Sequence, residues 1–198
     1  NSEFRMLFCH SSILASFYIL HSTFVICSAM KLSPDHRIAG VLAPLFALRT
    51  ENDLGIGDLE ALRQFVDWSA SVGFKLIQLL AINETGWDDS PYNAGSAMAI
   101  EPATLHLAPG SPEDLSETDY EAAVAKAGVE KLRKGPVRYR RVKRLKRNLL
   151  EMAFAHFSER TASDENAANE FHEFCRAQNL WLCDSVFFRA SKEWNGYM

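Results

Sequence analysis

A short polar segment carries the side chains that are best suited to chemistry in this chain. It reads Trp-Asp-Asp-Ser-Pro-Tyr over residues 87–92 and so combines two carboxylates, two hydroxyls and two aromatic rings. Sugars offer hydroxyls to polar groups and C–H faces to aromatic rings, and ligand sites combine such groups. The segment therefore predicts a carbohydrate site, with Trp87, Asp89, Ser90 and Tyr92 as its candidate binding residues.

The residues before this segment predict the element that positions it. Residues 74–81 form a nearly continuous apolar run of strand length, which is typical of a parallel strand covered on both faces. Ligands of α/β proteins bind at the carboxyl ends of such strands. The polar segment follows that end directly, so we expect it to form the ligand-binding loop.

A second strand and a helix are predicted upstream. Residues 39–45 are typical of a strand, and the apolar side chains of residues 58–73 recur at helical spacing. Asp58 is a suitable N-cap, and Gly73 is suited to follow the last turn. Strand, helix and strand joined by short loops form a βαβ unit, which predicts an α/β fold with a parallel sheet.

Several blocks of the sequence together resemble one known family, the 4-α-glucanotransferases of glycoside hydrolase family 77, also called amylomaltases or disproportionating enzymes. In that family a strand precedes Thr-Gly, then Ser-Pro-Tyr, then Ser-Ala-x-Ala-x-Asn-Pro. The matches are Thr85-Gly86, Ser90-Pro91-Tyr92, Ser96-Ala97, Ala99 and Pro102. Further matches are Gly40-Val41-Leu42, Gly55-Ile56-Gly57-Asp58, Asn179-Leu-Trp-Leu-Cys-Asp184 and Phe187-Phe188. The resemblance covers about residues 38–194 and departs at Glu101, where the family usually has Asn.

The resemblance implies a (β/α)8 TIM barrel that transfers α-1,4-glucan segments between acceptors by a retaining double displacement. Its substrates would be α-1,4-glucans and maltooligosaccharides, and it would need no cofactor or metal. The family's three catalytic acids lie downstream of these motifs, so we assign no catalytic residue up to Met198. We expect this chain, as the amino-terminal part of a barrel, to be inactive by itself. The alternatives are a hydrolytic relative of the α-amylase type and a non-catalytic glucan-binding protein.

Each candidate residue also has a purely structural interpretation. The ring of Tyr92 would form a wall beside the scissile bond, or it would pack in the core. Ser90 would donate to a sugar hydroxyl or order a turn, and Trp87 would stack on glucan or pack over the barrel rim. Asp88 and Asp89 are adjacent in a loop and are expected to point apart. We therefore expect them to order the loop or contact sugar, rather than act as general acid and base.

No cofactor or metal site is predicted. Gly55 and Gly57 begin a partial dinucleotide-binding fingerprint, but Glu60 replaces its third glycine and would repel a pyrophosphate. We expect the two glycines to form a flexible strand-to-helix joint. The four cysteines form no Cys-x-x-Cys pair, and no histidine cluster accompanies them, so we predict reduced thiols.

The second half of the chain, residues 113–198, is predicted to be mainly helical. By the resemblance it forms an insertion that leads back to the barrel, whereas residues 30–112 hold the first βαβ unit and its loop. Helices are predicted over residues 122–127, 139–157 and 165–178, with a joint at 160–164. Residues 180–189 fit either a strand or a helix.

Residues 131–147 form a basic run of ten lysines and arginines without an acidic residue. Binding to phosphate, on nucleic acid or on phosphorylated glucan, is one interpretation. The other is a solvated helix face whose opposite side buries Val142 and Leu145, and we favour it because the rest of the chain is strongly acidic. We therefore predict no nucleic-acid partner.

The first residues are placed outside the predicted fold. Residues 6–29 are apolar and nearly uncharged, which a secretory signal, a marginal membrane span or translated sequence upstream of Met30 would each explain. We favour the last, because the resemblance to the family begins soon after Met30, and Arg5 alone supplies the positive charge that a signal peptide needs before the run. Residues 1–29 are thus excluded, and we predict a cytoplasmic protein without a membrane partner. A real signal peptide would instead make it exported.

Overall fold

The computed structural model describes residues 37–86, 88–110 and 115–195. The predicted leader (residues 1–29) and Trp87 lie outside the described residues. Within the described ranges, no helix is long and apolar enough to cross a bilayer. These residues form helices and a small parallel sheet, which agrees with the predicted α/β class.

The sheet consists of two strands joined by a helix. Strand β1 (Gly40–Ala43) pairs in parallel with strand β2 (Leu76–Leu79), and helix α1 (Leu59–Ser71) connects them. The predicted βαβ unit is therefore confirmed. Strand β1 is shorter than predicted because the chain leaves the sheet at Pro44 and enters a 3-10 turn over Leu45–Ala47.

Helix α1 begins and ends as the sequence predicts. The carboxylate of Asp58 accepts a hydrogen bond from the N–H of Ala61 at 2.9 Å, which satisfies one of the donors that a helix N-terminus leaves unpaired. Glu60 lies in the first turn, where the helix dipole favours a negative charge. Gly73 follows the helix with φ +91°, a conformation that side chains other than glycine's rarely adopt.

The loop between β1 and α1 is tightly packed. A Cβ atom on Gly57 would lie 2.0 Å from the carbonyl oxygen of Leu45, so no larger residue fits there. Gly55 has φ +101°, and a Cβ atom on it would lie 2.8 Å from the Cβ of Leu132. The prediction of a flexible joint is therefore wrong: close backbone approach and a positive φ require these glycines.

Asp53 holds this loop in shape. Its buried carboxylate accepts hydrogen bonds from the N–H groups of Gly55 at 2.7 Å and Thr50 at 3.0 Å. It also pairs through both oxygens with the guanidinium of Arg49, at 2.7 and 2.9 Å. Arg133 donates to the carbonyl of Asp53 at 2.8 Å. The buried charge is thus both paired and hydrogen-bonded, as burial requires.

From Glu117 onward the described elements are helices. They are α2 (Glu117–Ala127), α3 (Val129–Leu132), α4 (Tyr139–Ser163), α5 (Glu165–Ala177) and α6 (Asn179–Trp194). The predicted helices are confirmed, and residues 180–189 are helical. The predicted joint at 160–164 is wrong except at Asp164. The hydroxyls of Thr161 and Ser163 bond to carbonyls one turn earlier, which lets these polar residues continue the helix.

The main hydrophobic core packs helix α4 against helices α2 and α3 and against irregular segments around residues 54, 105–107 and 115. Its buried members are Leu54, Leu105, Leu107, Leu115, Ala123, Val129, Leu132, Leu145, Leu149, Leu150 and Ala153. Lys146 is buried at the same face of α4, and its ammonium group donates a hydrogen bond to the carbonyl of Leu105. Helix α4 is therefore anchored next to residues 102–107.

A histidine connects this segment to helix α1. The Nδ1 atom of His106 lies 3.0 Å from Oδ2 of Asp58, whose other oxygen caps α1. The hydrogen bond to Asp58 raises the pKa of His106, although burial and the charge of Lys146 oppose the shift. Burial would raise the pKa of Asp58, but the bond from His106, with Lys146 and the N–H of Ala61, lowers it.

The His106–Asp58 contact predicts a pH-dependent contribution to stability. Because the folded state holds the histidine proton more tightly, the contribution is complete below the ordinary pKa of 6.5. It is lost as the pH rises through the raised value. We therefore expect the difference in melting temperature between wild type and His106→Asn to shrink as the pH rises above about 6.5. The exposed histidine variant His172→Asn serves as the control, and a gap that stays constant or widens with pH would contradict the prediction.

Candidate active-site loop

The candidate residues lie on an irregular hairpin that follows the carboxyl end of β2. We call residues 82–101 the β2 loop. Its two limbs are joined by the hydrogen bonds from Glu84 N–H to the Ala99 carbonyl at 2.8 Å and from Gly95 N–H to the Glu84 carbonyl at 2.7 Å. The Gly86 N–H donates to the Asn93 carbonyl at 2.7 Å. These bonds fix both limbs and leave the tip to carry the polar segment.

Glu101 closes the base of the β2 loop. Its side chain is buried, and its Oε2 atom accepts hydrogen bonds from the N–H of Thr85 at 3.0 Å and from the Thr85 hydroxyl at 2.6 Å. The Oε1 atom accepts from the N–H of Ala103 at 3.2 Å. Glu101, where the resemblance leads us to expect Asn, thus connects the first limb of the loop to the segment after it.

The tip is shaped by side chains that bond to nearby backbone groups. Asp88 accepts a hydrogen bond from the N–H of Ser90 at 3.2 Å, and the Ser90 hydroxyl accepts one from the N–H of Tyr92 at 3.3 Å. Such contacts are typical of turns, so Ser90 does order a turn. Its hydroxyl accepts this bond through a lone pair, which leaves the O–H proton for a second partner.

The ring of Tyr92 points away from the core. Tyr92 is 78% exposed, so the alternative that its ring packs in the core is wrong. An exposed aromatic ring on an ordered turn is available to the apolar face of a ligand. Trp87, the other aromatic candidate, lies outside the described residues, and its role stays a prediction.

Asp88 and Asp89 have different partners. Asp89 has a φ of 56°, which is uncommon for a residue other than glycine. Its Oδ1 atom lies 2.6 Å from the ammonium group of Lys143 on α4. Asp88 bonds within the tip instead. This geometry agrees with the expectation that the two carboxylates order the loop separately.

Sequence reasoning missed the two cations that face the β2 loop. Lys143 was counted as part of a basic, solvated face, although its position directly after buried Val142 places it beside the buried stripe of α4. Arg189 of α6 lies 3.4 Å from the carboxylate of Glu84, and both side chains are largely buried. Burial raises the pKa of Glu84, and the charge of Arg189 opposes this.

The space around the β2 loop indicates where a ligand could lie. The cavity beneath it, lined in part by Thr85, Asp89 and Glu101, has a volume of about 30 Å³, whereas small-molecule sites span roughly 300–1,000 Å³. A larger cleft of about 740 Å³ lies beside the His106–Asp58 pair and shares no lining residue with this cavity. The space beneath the loop is therefore too small for a small-molecule ligand, and the exposed ring of Tyr92 lies on the solvent side of the loop.

Comparison with known proteins identifies the family. The sequence model of glycoside hydrolase family 77, described as 4-alpha-glucanotransferase, matches residues 43–197. The chain belongs to this family. The resemblance seen in the sequence motifs is thereby confirmed. The match begins at the last residue of β1 and continues through α1, β2, the β2 loop and the helices that follow.

Curated relatives carry the same description. The 4-alpha-glucanotransferase of Chlamydia pneumoniae is 34% identical over 163 residues, which cover 81% of this chain and 29% of that protein. That of Synechocystis sp. is 33% identical over 160 residues, covering 80% and 30%. The 4-alpha-glucanotransferase DPE2 of Oryza sativa subsp. japonica is 36% identical over 136 residues, covering 58% and 14%. The chain thus spans at most about three tenths of the length of these relatives.

The buried carboxylate at the base of the loop predicts a large stability effect. Glu101→Ala would leave the Thr85 N–H and hydroxyl and the Ala103 N–H without their acceptor, at a cost of about 2–4 kcal/mol in unfolding free energy. The matched control is Glu130→Ala, because that glutamate forms an exposed ion pair with Arg133, which we expect to contribute about 1 kcal/mol or less. Urea denaturation measures both, and equal effects would show that the Glu101 contacts are not stabilising.

Proposed function

We propose that this protein transfers α-1,4-glucan segments between 4-hydroxyl acceptors. The exposed ring of Tyr92, held on a braced loop beyond the carboxyl end of a parallel strand, carries the proposal. Membership of glycoside hydrolase family 77 and the names of the relatives support it.

The proposal includes a barrel. The β1–α1–β2 unit would be the first βαβ unit of a (β/α)8 barrel, and the helices α2 to α6 would form an insertion beside it. Barrel enzymes build their active sites from the loops that follow the strands. The β2 loop leaves β2 at its carboxyl end, so this arrangement would direct the tip toward the substrate.

The chemistry proposed is a retaining double displacement. One carboxylate attacks the anomeric carbon while a second carboxylic acid protonates the leaving glycosidic oxygen. A glucan 4-hydroxyl then attacks the glycosyl-enzyme, and the second residue, now a base, takes its proton. The two carboxyl groups of a retaining enzyme lie about 5–5.5 Å apart. We assign neither role to Asp88 or Asp89, since these two already serve the loop.

The β2 loop would bind and orient the sugar. The ring of Tyr92 would wall the subsite beside the scissile bond, and Ser90 would donate its hydroxyl proton to a sugar oxygen. Trp87 would stack on an outer glucose unit, and Asp89 would order the tip and accept from sugar hydroxyls. Orienting contacts of this type accelerate a reaction when they hold the substrate close to its reactive geometry.

Incubation of the full-length protein with maltotriose distinguishes the proposed function from its alternatives. Transfer releases glucose and forms longer maltooligosaccharides while the number of reducing ends stays constant, because each bond broken is replaced by another. Hydrolysis instead raises the number of reducing ends with every bond broken. Binding without any new product would identify a glucan-binding protein. We expect the first result.

Removal of the exposed ring tests the assigned site. In the full-length protein Tyr92→Ala should lower kcat for maltotriose disproportionation by about tenfold or more, equivalent to about 1.4 kcal/mol, because the reacting sugar loses the wall that holds it. The melting temperature should change little, since the ring is 78% exposed. The matched variant Tyr92→Phe keeps the wall and should retain most of the activity. Unchanged kcat in folded Tyr92→Ala would exclude this residue from the site.

A further inference from the structure

We propose that Lys143 is a positioning residue that holds the tip of the β2 loop in its glucan-binding conformation. The inference rests on the proposed function and adds to it a residue that lies outside the loop, on helix α4. Lys143 would act through Asp89, without itself touching the reacting sugar.

The ammonium group of Lys143 meets three parts of the β2 loop at once. Its Nζ atom lies 2.6 Å from Oδ1 of Asp89 at the tip and 3.0 Å from the hydroxyl oxygen of Thr85 on the first limb. It also lies 3.5 Å from Oε2 of Glu101 at the base. A lysine has three N–H donors, and here it faces one oxygen from each part. The tip is thereby connected to the two places where the loop is already fixed.

The charges make this contact different from an ordinary surface ion pair. Asp89 and Glu101 both direct a carboxylate oxygen toward Nζ of Lys143, so without the lysine two negative charges would face each other. The side chains of Lys143 and Asp89 are each only 32% exposed, which reduces the solvent screening that weakens exposed pairs. Loss of the cation should therefore turn attraction at the tip into repulsion.

The backbone conformation of Asp89 explains why loss of the Lys143 contact would change the loop tip. Its φ of 56° lies in the left-handed region, which aspartate tolerates better than most residues but which is still less favourable than an extended conformation. Asp89 directly precedes Ser90, and the turn to Tyr92 starts there. If Asp89 returned to an extended conformation, the direction of the chain at Tyr92 would change with it.

The backbone of Lys143 is held in place by its neighbours on helix α4. The neighbouring residues Val142, Leu145 and Lys146 are all buried, and Lys146 is bonded to the Leu105 carbonyl. Helix α4 can therefore present the Lys143 side chain at a constant position, as a positioning residue must be presented. The other lysines of the basic run that carry exposed side chains, Lys131 and Lys134, provide controls for charge alone.

The test compares Lys143→Met with Lys134→Met in the full-length protein, by maltotriose kinetics and by amide hydrogen exchange. If the loop is competent in only a fraction of Lys143→Met molecules, KM should rise about fivefold while kcat stays within about twofold. Amides of residues 86–95 should exchange at least about threefold faster, while those of α4 stay protected.

A purely structural defect would instead reduce the amount of active protein and leave KM unchanged. Lys143→Arg keeps the charge, so its KM and loop exchange should stay close to those of the wild type. Lys134→Met should behave as the wild type in both measurements.

A second variant approaches the same contact from the loop. Asp89→Asn keeps the shape of the side chain but removes its charge. Both this variant and Lys143→Met break the same Lys143–Asp89 contact, so their effects on loop exchange should not add in the double variant. It also keeps the inference testable if Lys143→Met fails to fold. Unchanged KM and unchanged loop exchange in folded Lys143→Met, or an equal effect of Lys134→Met, would overturn the inference. Wild-type protein without glucan activity would contradict the proposed function, and loop exchange would still decide the role of Lys143.

Discussion

The carboxylate of Glu101 is buried and therefore needs hydrogen-bond donors from the protein, and this requirement fixes the base of the β2 loop. Its donors come from Thr85, at the start of the loop, and from Ala103, just after its end. Satisfying one buried charge therefore brings together residues that are 16 positions apart in the chain. An amide at this position would carry one donor group of its own and could not accept from both sides in the same way. The carboxylate expected from the sequence to replace an asparagine is thus also the group that closes the loop.

Helix α4 supplies the positive charge that faces the carboxylates of the β2 loop. Its buried stripe packs into the main core, and two lysines of the basic run extend from the edge of that stripe toward backbone and loop oxygens, Lys146 to Leu105 and Lys143 to Asp89. A basic run can therefore contain residues with separate roles, some solvated and some structural. Because the buried stripe anchors α4 in the core, Lys143 lies beside the loop tip without any ligand. A tip held in this way would lose less conformational entropy on binding.

Local patterns in the sequence were sufficient for much of this structure. The caps at Asp58 and Gly73 and the parallel pairing of the two strands depend on neighbouring residues and on apolar periodicity, and both were predicted. The polar residues at 160–163 misled the prediction, because composition does not show that Thr161 and Ser163 can bond back along the helix. The sequence analysis also did not predict which basic side chains contact the β2 loop. Lys143 and Arg189 lie far along the chain from Asp89 and Glu84, and no local pattern encodes which charges will meet after folding.

Gly57 illustrates how an indispensable residue can lack any chemical role. The backbone of Leu45 and Leu48 approaches so closely that a Cβ atom at position 57 would lie 2.0 and 2.5 Å from their carbonyl oxygens. In a saturation mutagenesis experiment this position would reject even alanine, with a fitness profile similar to that of a catalytic nucleophile. Intolerance to substitution is therefore ambiguous when it is considered alone. Here the steric origin could be recognised because alanine, serine and aspartate would all fail alike, whereas a chemical role would rank them by their functional groups.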